Sequence, residues 1–109
     1  MTSVKFDTLR SISSGSIGGP YTAVGTPLQN NWRIIKITNT MNADAFISVD
    51  GSTACMAVPA GSFVLYDFGT NEPGGMGTND NMVVAKGTQF YVSALGQTSG
   101  SVYIEGVYS

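Results

Sequence analysis

The residues that could do chemistry form a short inventory. The 109-residue chain has no histidine and a single cysteine, Cys55. Without histidine, the commonest general base and the commonest transition-metal ligand are missing. A serine nucleophile would have no imidazole to activate it, and Lys5, Lys36 and Lys86 offer no Ser–Lys pattern in their place. Cys55 sits in the apolar stretch Thr53-Ala-Cys-Met-Ala57, which predicts a buried small hydrophobe. A reactive thiol would want basic neighbours or a helix start.

Oxygen ligands gather at Asn42, Asp44 and Asp50, and again at Asn71, Glu72, Asn79, Asp80 and Asn81. Such groups can bind Ca²⁺, but Asp50-Gly-Ser lacks the further carboxylate spacing of a calcium loop. Turn chemistry accounts for them more simply, because Asn and Asp bond their own backbone and tolerate left-handed conformations. Trp32 and the tyrosines at 21, 66, 91, 103 and 108 could stack on sugars, although strand aromatics usually pack a core or sheet face. No catalytic residue, metal site or cofactor is expected, and the chain reads as a non-enzyme.

The elements that would position these groups are strands. Gly or Pro interrupts nearly every window long enough for a helix; residues 79–86 could form at most a turn or two. Strand patterns cover residues 32–38, 45–49 and 53–58, with Asp50-Gly51 as a hairpin turn and 59–61 as the next turn. Residues 62–68 are apolar on both faces, which predicts a central strand covered twice. Residues 82–85, 89–94 and 101–108 complete the set. Six to eight short antiparallel strands at such spacing predict an all-β fold, a single β-sandwich or jelly-roll-like domain. The long Gly-rich loop 69–81 reads as a binding loop or a disordered one, and a neighbouring subunit is one destination for Met76 at its centre.

Residues 1–30 read differently from 31–109. Ser11-Ile-Ser-Ser-Gly-Ser-Ile-Gly-Gly-Pro20 is too poor in large apolar groups to build its own core. Yet Phe6, Leu9, Ile12, Ile17, Tyr21 and Val24 recur through the segment. This predicts an ordered, extended N-terminal arm on a β-sandwich body, with part of the arm against another chain. Those six residues, with Met76 and Tyr108, are the candidate interface residues; tyrosine is enriched at interfaces.

Bulk composition points the same way. Charged residues make up 11% of the chain, against about 25% in typical domains. A surface so poor in charge suits burial against other protein, since charge keeps free monomers apart. Net charge is −2 and the five basic residues are scattered, which argues against nucleic acid. No apolar run is long enough for a membrane span and no secretory signal is seen, so synthesis in a reducing cytoplasm is expected.

Several phrases carry a family resemblance: Phe6-Asp-Thr-Leu-Arg10, Tyr21-Thr-Ala-Val-Gly25-Thr-Pro-Leu28, Arg33-Ile-Ile35-Lys-Ile-Thr-Asn39, Phe46-Ile-Ser-Val-Asp-Gly51, Val58-Pro-Ala-Gly-Ser-Phe63 and Lys86-Gly-Thr88-Gln-Phe-Tyr-Val92. With Gly15-Ser-Ile17, Asp67-Phe-Gly-Thr-Asn71 and Ser99-Gly-Ser-Val-Tyr103, they span nearly the whole chain. In these phrases the chain resembles small β-sandwich virion structural proteins of tailed bacteriophages. The resemblance implies a head decoration (cement) protein, or a collar or head–tail connector component. Its implied partners are copies of itself, as a ring or trimer, and the major capsid protein or portal and neck proteins. It brings no catalytic residues. A different class, a tail or fibre module binding host glycan through exposed aromatics and loop 69–81, is the alternative.

Overall fold

The computed structural model describes residues 5–18, 20–67 and 84–108. Among the described residues nine strands form: β1 (Lys5–Phe6), β2 (Arg10–Ser13), β3 (Thr22–Val24), β4 (Ile34–Asn39), β5 (Ala45–Ser48), β6 (Ala54–Val58), β7 (Phe63–Asp67), β8 (Phe90–Ser93) and β9 (Ser101–Tyr108). All pair antiparallel. One sheet runs β1-β9-β4-β7, with β2 following β1 along the same side of β9; the other runs β3-β8-β5-β6. The two pack as a small β-sandwich, as expected. A 3₁₀ turn at Ser14–Ser16 is the one helical piece among the described residues.

Side-chain alternation decides which face of each strand turns inward. In β4, Ile35, Ile37 and Asn39 are buried while Ile34, Lys36 and Thr38 are half-exposed. In β9, Val102, Ile104 and Gly106 are buried, and Glu105 between them is exposed. Val24, Ile47, Val58, Phe90 and Val92 answer from the second sheet. Trp32 enters the core beside Phe90, ring centroids 6.1 Å apart, and its backbone bridges to Val84.

The hairpin between β5 and β6 forms where expected, with a wider loop and a register shift at Ile47/Ser48. Gly51 takes φ +81°, and Asp50 Oδ1 accepts from the Ser52 and Thr53 amides at 2.8 and 2.9 Å. Those bonds and the Ser48 hydroxyl hold the Asp50 carboxyl down at about 2.

Two expectations are corrected. The strand expected at 62–68 is not central: among the described residues β7 (Phe63–Asp67) is the last strand of its sheet, with Phe63 and Leu65 each 56% exposed. An apolar residue on both faces reads the same whether the second face is covered by this chain or left open. Cys55, expected buried, lies on the exposed side of β6, and only partial burial raises its thiol pKa.

Candidate interaction face

Residues 5–18 and 20–30 are built into the sandwich. β1 and β2 run along β9, and β3 pairs with β8 in the opposite sheet. Ile12, Ile17, Val24 and Leu28 lie in the common core, so these side chains are enclosed within their own chain. The expectation that Ile12, Ile17 and Val24 reach a neighbour is corrected on that ground. The segment's isolated apolar residues needed no core of their own, because each strand borrows one from the sheet it joins.

A polar bolt fixes this segment. The Arg10 guanidinium, 6% exposed, donates to the carbonyls of Thr26 (2.9 Å), Thr8 (3.0 Å) and Pro27 (3.3 Å). It lies 5.3 Å from the Trp32 ring centroid and 3.9 Å from Asp7 Oδ2. Trp32 Nε1 donates to the same Asp7 oxygen at 2.7 Å. Burial raises the Asp7 pKa, but bonds from Trp32 and Thr8 and the Arg10 charge outweigh it, leaving the carboxyl below its ordinary value. A depressed native pKa contributes stability above the 3.8 of the free group, lost as pH falls through the lower native value. Asp7→Ala should therefore cost about 2 kcal/mol near neutral pH. Urea titrations of variant and wild type should converge as acid protonates Asp7; a gap that persists unchanged at low pH would remove the carboxylate from the explanation.

With the bolt and core in place, the outward face of the first sheet can be read from register, since directly paired residues share a face. One row across it is Leu65–Lys36–Glu105. Continuing the β2–β9 register one residue beyond Arg10–Ile104 sets Leu9 beside Glu105, and both line a hollow of about 370 Å³ with Phe6 and Tyr103. On one side of this row lie Asp67–Ile34–Val107–Phe6, and on the other Phe63–Thr38–Tyr103–Ser11. Phe6 is 84% and Leu9 53% exposed. Lys36 Nζ lies 4.9 Å from the Phe63 ring centroid and makes no ion pair with Glu105.

Phe6 and Leu9, of the candidate interface residues, thus stand on this open face. Tyr21 is half-buried ahead of β3, and Tyr108 packs partly on the core. Met76 and loop 69–81 lie outside the described residues. Phe63 and Leu65 join this face because β7, apolar on both sides, is covered on only one; Ile34, at the start of β4, joins them by register. Gly106 was missed, although a glycine inside a strand pattern is the usual signal of a close neighbour.

Of the candidate oxygen ligands, Asn71, Glu72, Asn79, Asp80 and Asn81 lie outside the described residues, and the first group is engaged in structure. Asn42 bonds Thr98, Asp44 Oδ1 accepts from the Ala60 amide, and Asp50 holds its turn. Among the described residues no three of His, Cys, Asp and Glu come close enough to hold a metal. Trp32 is fully enclosed and has no face free for a sugar. Compared with protein-family models, with curated proteins and with solved structures, the chain matches none.

Proposed function

We propose that this chain is a non-enzymatic bacteriophage virion structural protein. It self-associates and binds other virion subunits, decorating or stabilising the capsid or the head–tail junction. The observation that carries the reading is the outward face of the first sheet. Phe6, Leu9, Phe63 and Leu65 stand more than half exposed there, on a chain with few charges to keep it monomeric. The resemblance of its turn and strand phrases supplies the particle. The second sheet leaves Phe46 and Val49 exposed, and Leu95 projects from the β8–β9 connection, so contacts need not be confined to one side.

The test is co-sedimentation of the purified full chain with phage heads and with complete particles made without it. Saturable binding at a fixed copy number per particle is expected. Hundreds of copies would place it on the head surface and about a dozen in a neck ring, by the closed symmetry such sites impose. Absence of binding to either, together with selective binding on a glycan array, would replace this reading with the glycan-binding module. Deleting residues 1–30 is not a usable test, because it removes three strands and part of the core.

A further inference from the structure

We infer that the outward face of the first sheet pairs with the same face of a second copy, about a two-fold axis running along the strands between β4 and β9. The inference rests on the self-association in the proposed function and gives it a geometry. Such an axis turns one sheet over onto the other and exchanges β4 with β9, and β7 with the β1/β2 side. Each row must then be complementary to its own reversal.

The central row meets that condition. Read outward from the axis, it is Lys36 then Leu65 on one side, and Glu105 then Leu9 on the other. Reversed and laid on itself, it sets Lys36 of each copy over Glu105 of the other, and Leu65 over Leu9. The neighbouring row sets Ile34 over Val107, and the next sets Thr38 over Tyr103. The less matched positions, Asp67 with Phe6 and Phe63 with Ser11, fall at the rim, where polar atoms keep their water.

Charge and area both favour a second copy over an unrelated partner. Lys36 and Glu105 are register partners, yet they form no ion pair within the chain. Across the axis they would form two symmetric pairs. Four strand positions at about 4.8 Å and eight residues of β9 at about 3.4 Å make a face of roughly 500 Å². Two such faces cover about 1,000 Å², the lower bound of a specific interface. Aligned sheet packing at about −30° accommodates the twist of each layer. Phe6 and Leu9 are then held by β1 and the Arg10 bolt as contacts for a partner's β7.

Charge reversal tests this on purified full-length protein by sedimentation equilibrium, with no particle present. Wild type is expected to dimerise. Lys36→Glu alone and Glu105→Lys alone should each weaken self-association by about tenfold or more, because like charges then face across the axis. An equimolar mixture of the two variants should recover wild-type affinity as a heterodimer, in which Glu at 36 of one copy meets Lys at 105 of the other while the native Lys36–Glu105 contact forms in the second pair. A substitution acting only within its own chain would give no recovery on mixing. Circular dichroism confirms that each variant is folded. A wild type monomeric at about 1 mM, where even weak association is detectable, would overturn the inference. So would single variants that dimerise as wild type does, or a mixture that stays monomeric. Each of these results leaves particle binding intact as a separate question.

Discussion

Gly106→Ala should be among the most damaging single-methyl additions in this protein, lowering stability by about 3 kcal/mol and the melting temperature by roughly 10 °C or more. Gly106 lies in the middle of β9 with its open side against the Trp32 indole, and an added Cβ would stand on Cδ2, Cε3 and Cε2 of the ring. The indole has nowhere to retreat. Its Nε1 is bonded to Asp7, Arg10 lies over it, Phe90 stacks beside it, and its backbone exchanges hydrogen bonds with Val84 at 2.9 and 2.8 Å. Moving any one of these disturbs the junction of both sheets. Thermal melts of Gly106→Ala, and of the same change with Trp32→Phe, check the cause. The smaller ring should recover part of the loss, giving a coupling the separate variants do not predict. Gly15→Ala is the control: it meets nothing within 4 Å and should lie within about 0.5 kcal/mol of wild type. Equal losses at both glycines would point to backbone entropy in place of the indole contact.

Asn39→Ala is expected to cost about 3 kcal/mol, as several buried partners lose their bonds together. Asn39 ends β4 fully enclosed. Its Nδ2 donates to the carbonyls of Ala43 (2.9 Å), Val58 (3.0 Å) and Pro59 (3.3 Å), and its Oδ1 accepts from the Met41 amide at 2.9 Å. One amide therefore ties the β4–β5 connection to the end of β6, joining the two sheets. Among the described residues no buried side-chain polar atom lacks a partner, so the loss has no ready substitute. Asn39→Asp separates the contributions, since it keeps the shape but replaces the donor with an acceptor oxygen facing three carbonyl oxygens. A buried aspartate has a raised native pKa, so its stability relative to wild type should be best in acid and decline as pH rises through the ordinary carboxyl range. Urea midpoints at pH 3 and pH 7 would show that divergence. A pH-independent gap would mean the position tolerates the charge and the bonding assignment is wrong.

Much of the fold is legible in the residues themselves. β5, β6, β8 and β9 lie within a residue or so of the patterns at 45–49, 53–58, 89–94 and 101–108, because alternation and turn residues act over short range. The absence of histidine is equally plain, since it is a property of composition alone. The candidate face was only partly legible. Phe6 and Leu9 stood out as large apolar residues in a polar segment. Phe63 and Leu65, each 56% exposed, carry no such signal, because their strand is apolar on both sides.

The remaining misreadings share one cause. Ile12, Ile17 and Val24 lie too far apart to form a core locally, and nothing in their spacing says which sheet will receive them. Their burial depends on β9 and β8, some 65 to 90 residues away along the chain. Asp7, Arg10, Trp32 and Gly106 likewise become one cluster only when β1, β2 and β9 are side by side. By itself, the amino-acid sequence determined that the chain is all-β, where several strands turn, and that no histidine-based chemistry is available to it. The tertiary structure decided which strand is an edge, which apolar residues are enclosed, and that Lys36 and Glu105 sit in one register row. Strand periodicity records that neighbouring side chains point to opposite faces, whereas the covering of each face depends on contacts made across most of the chain.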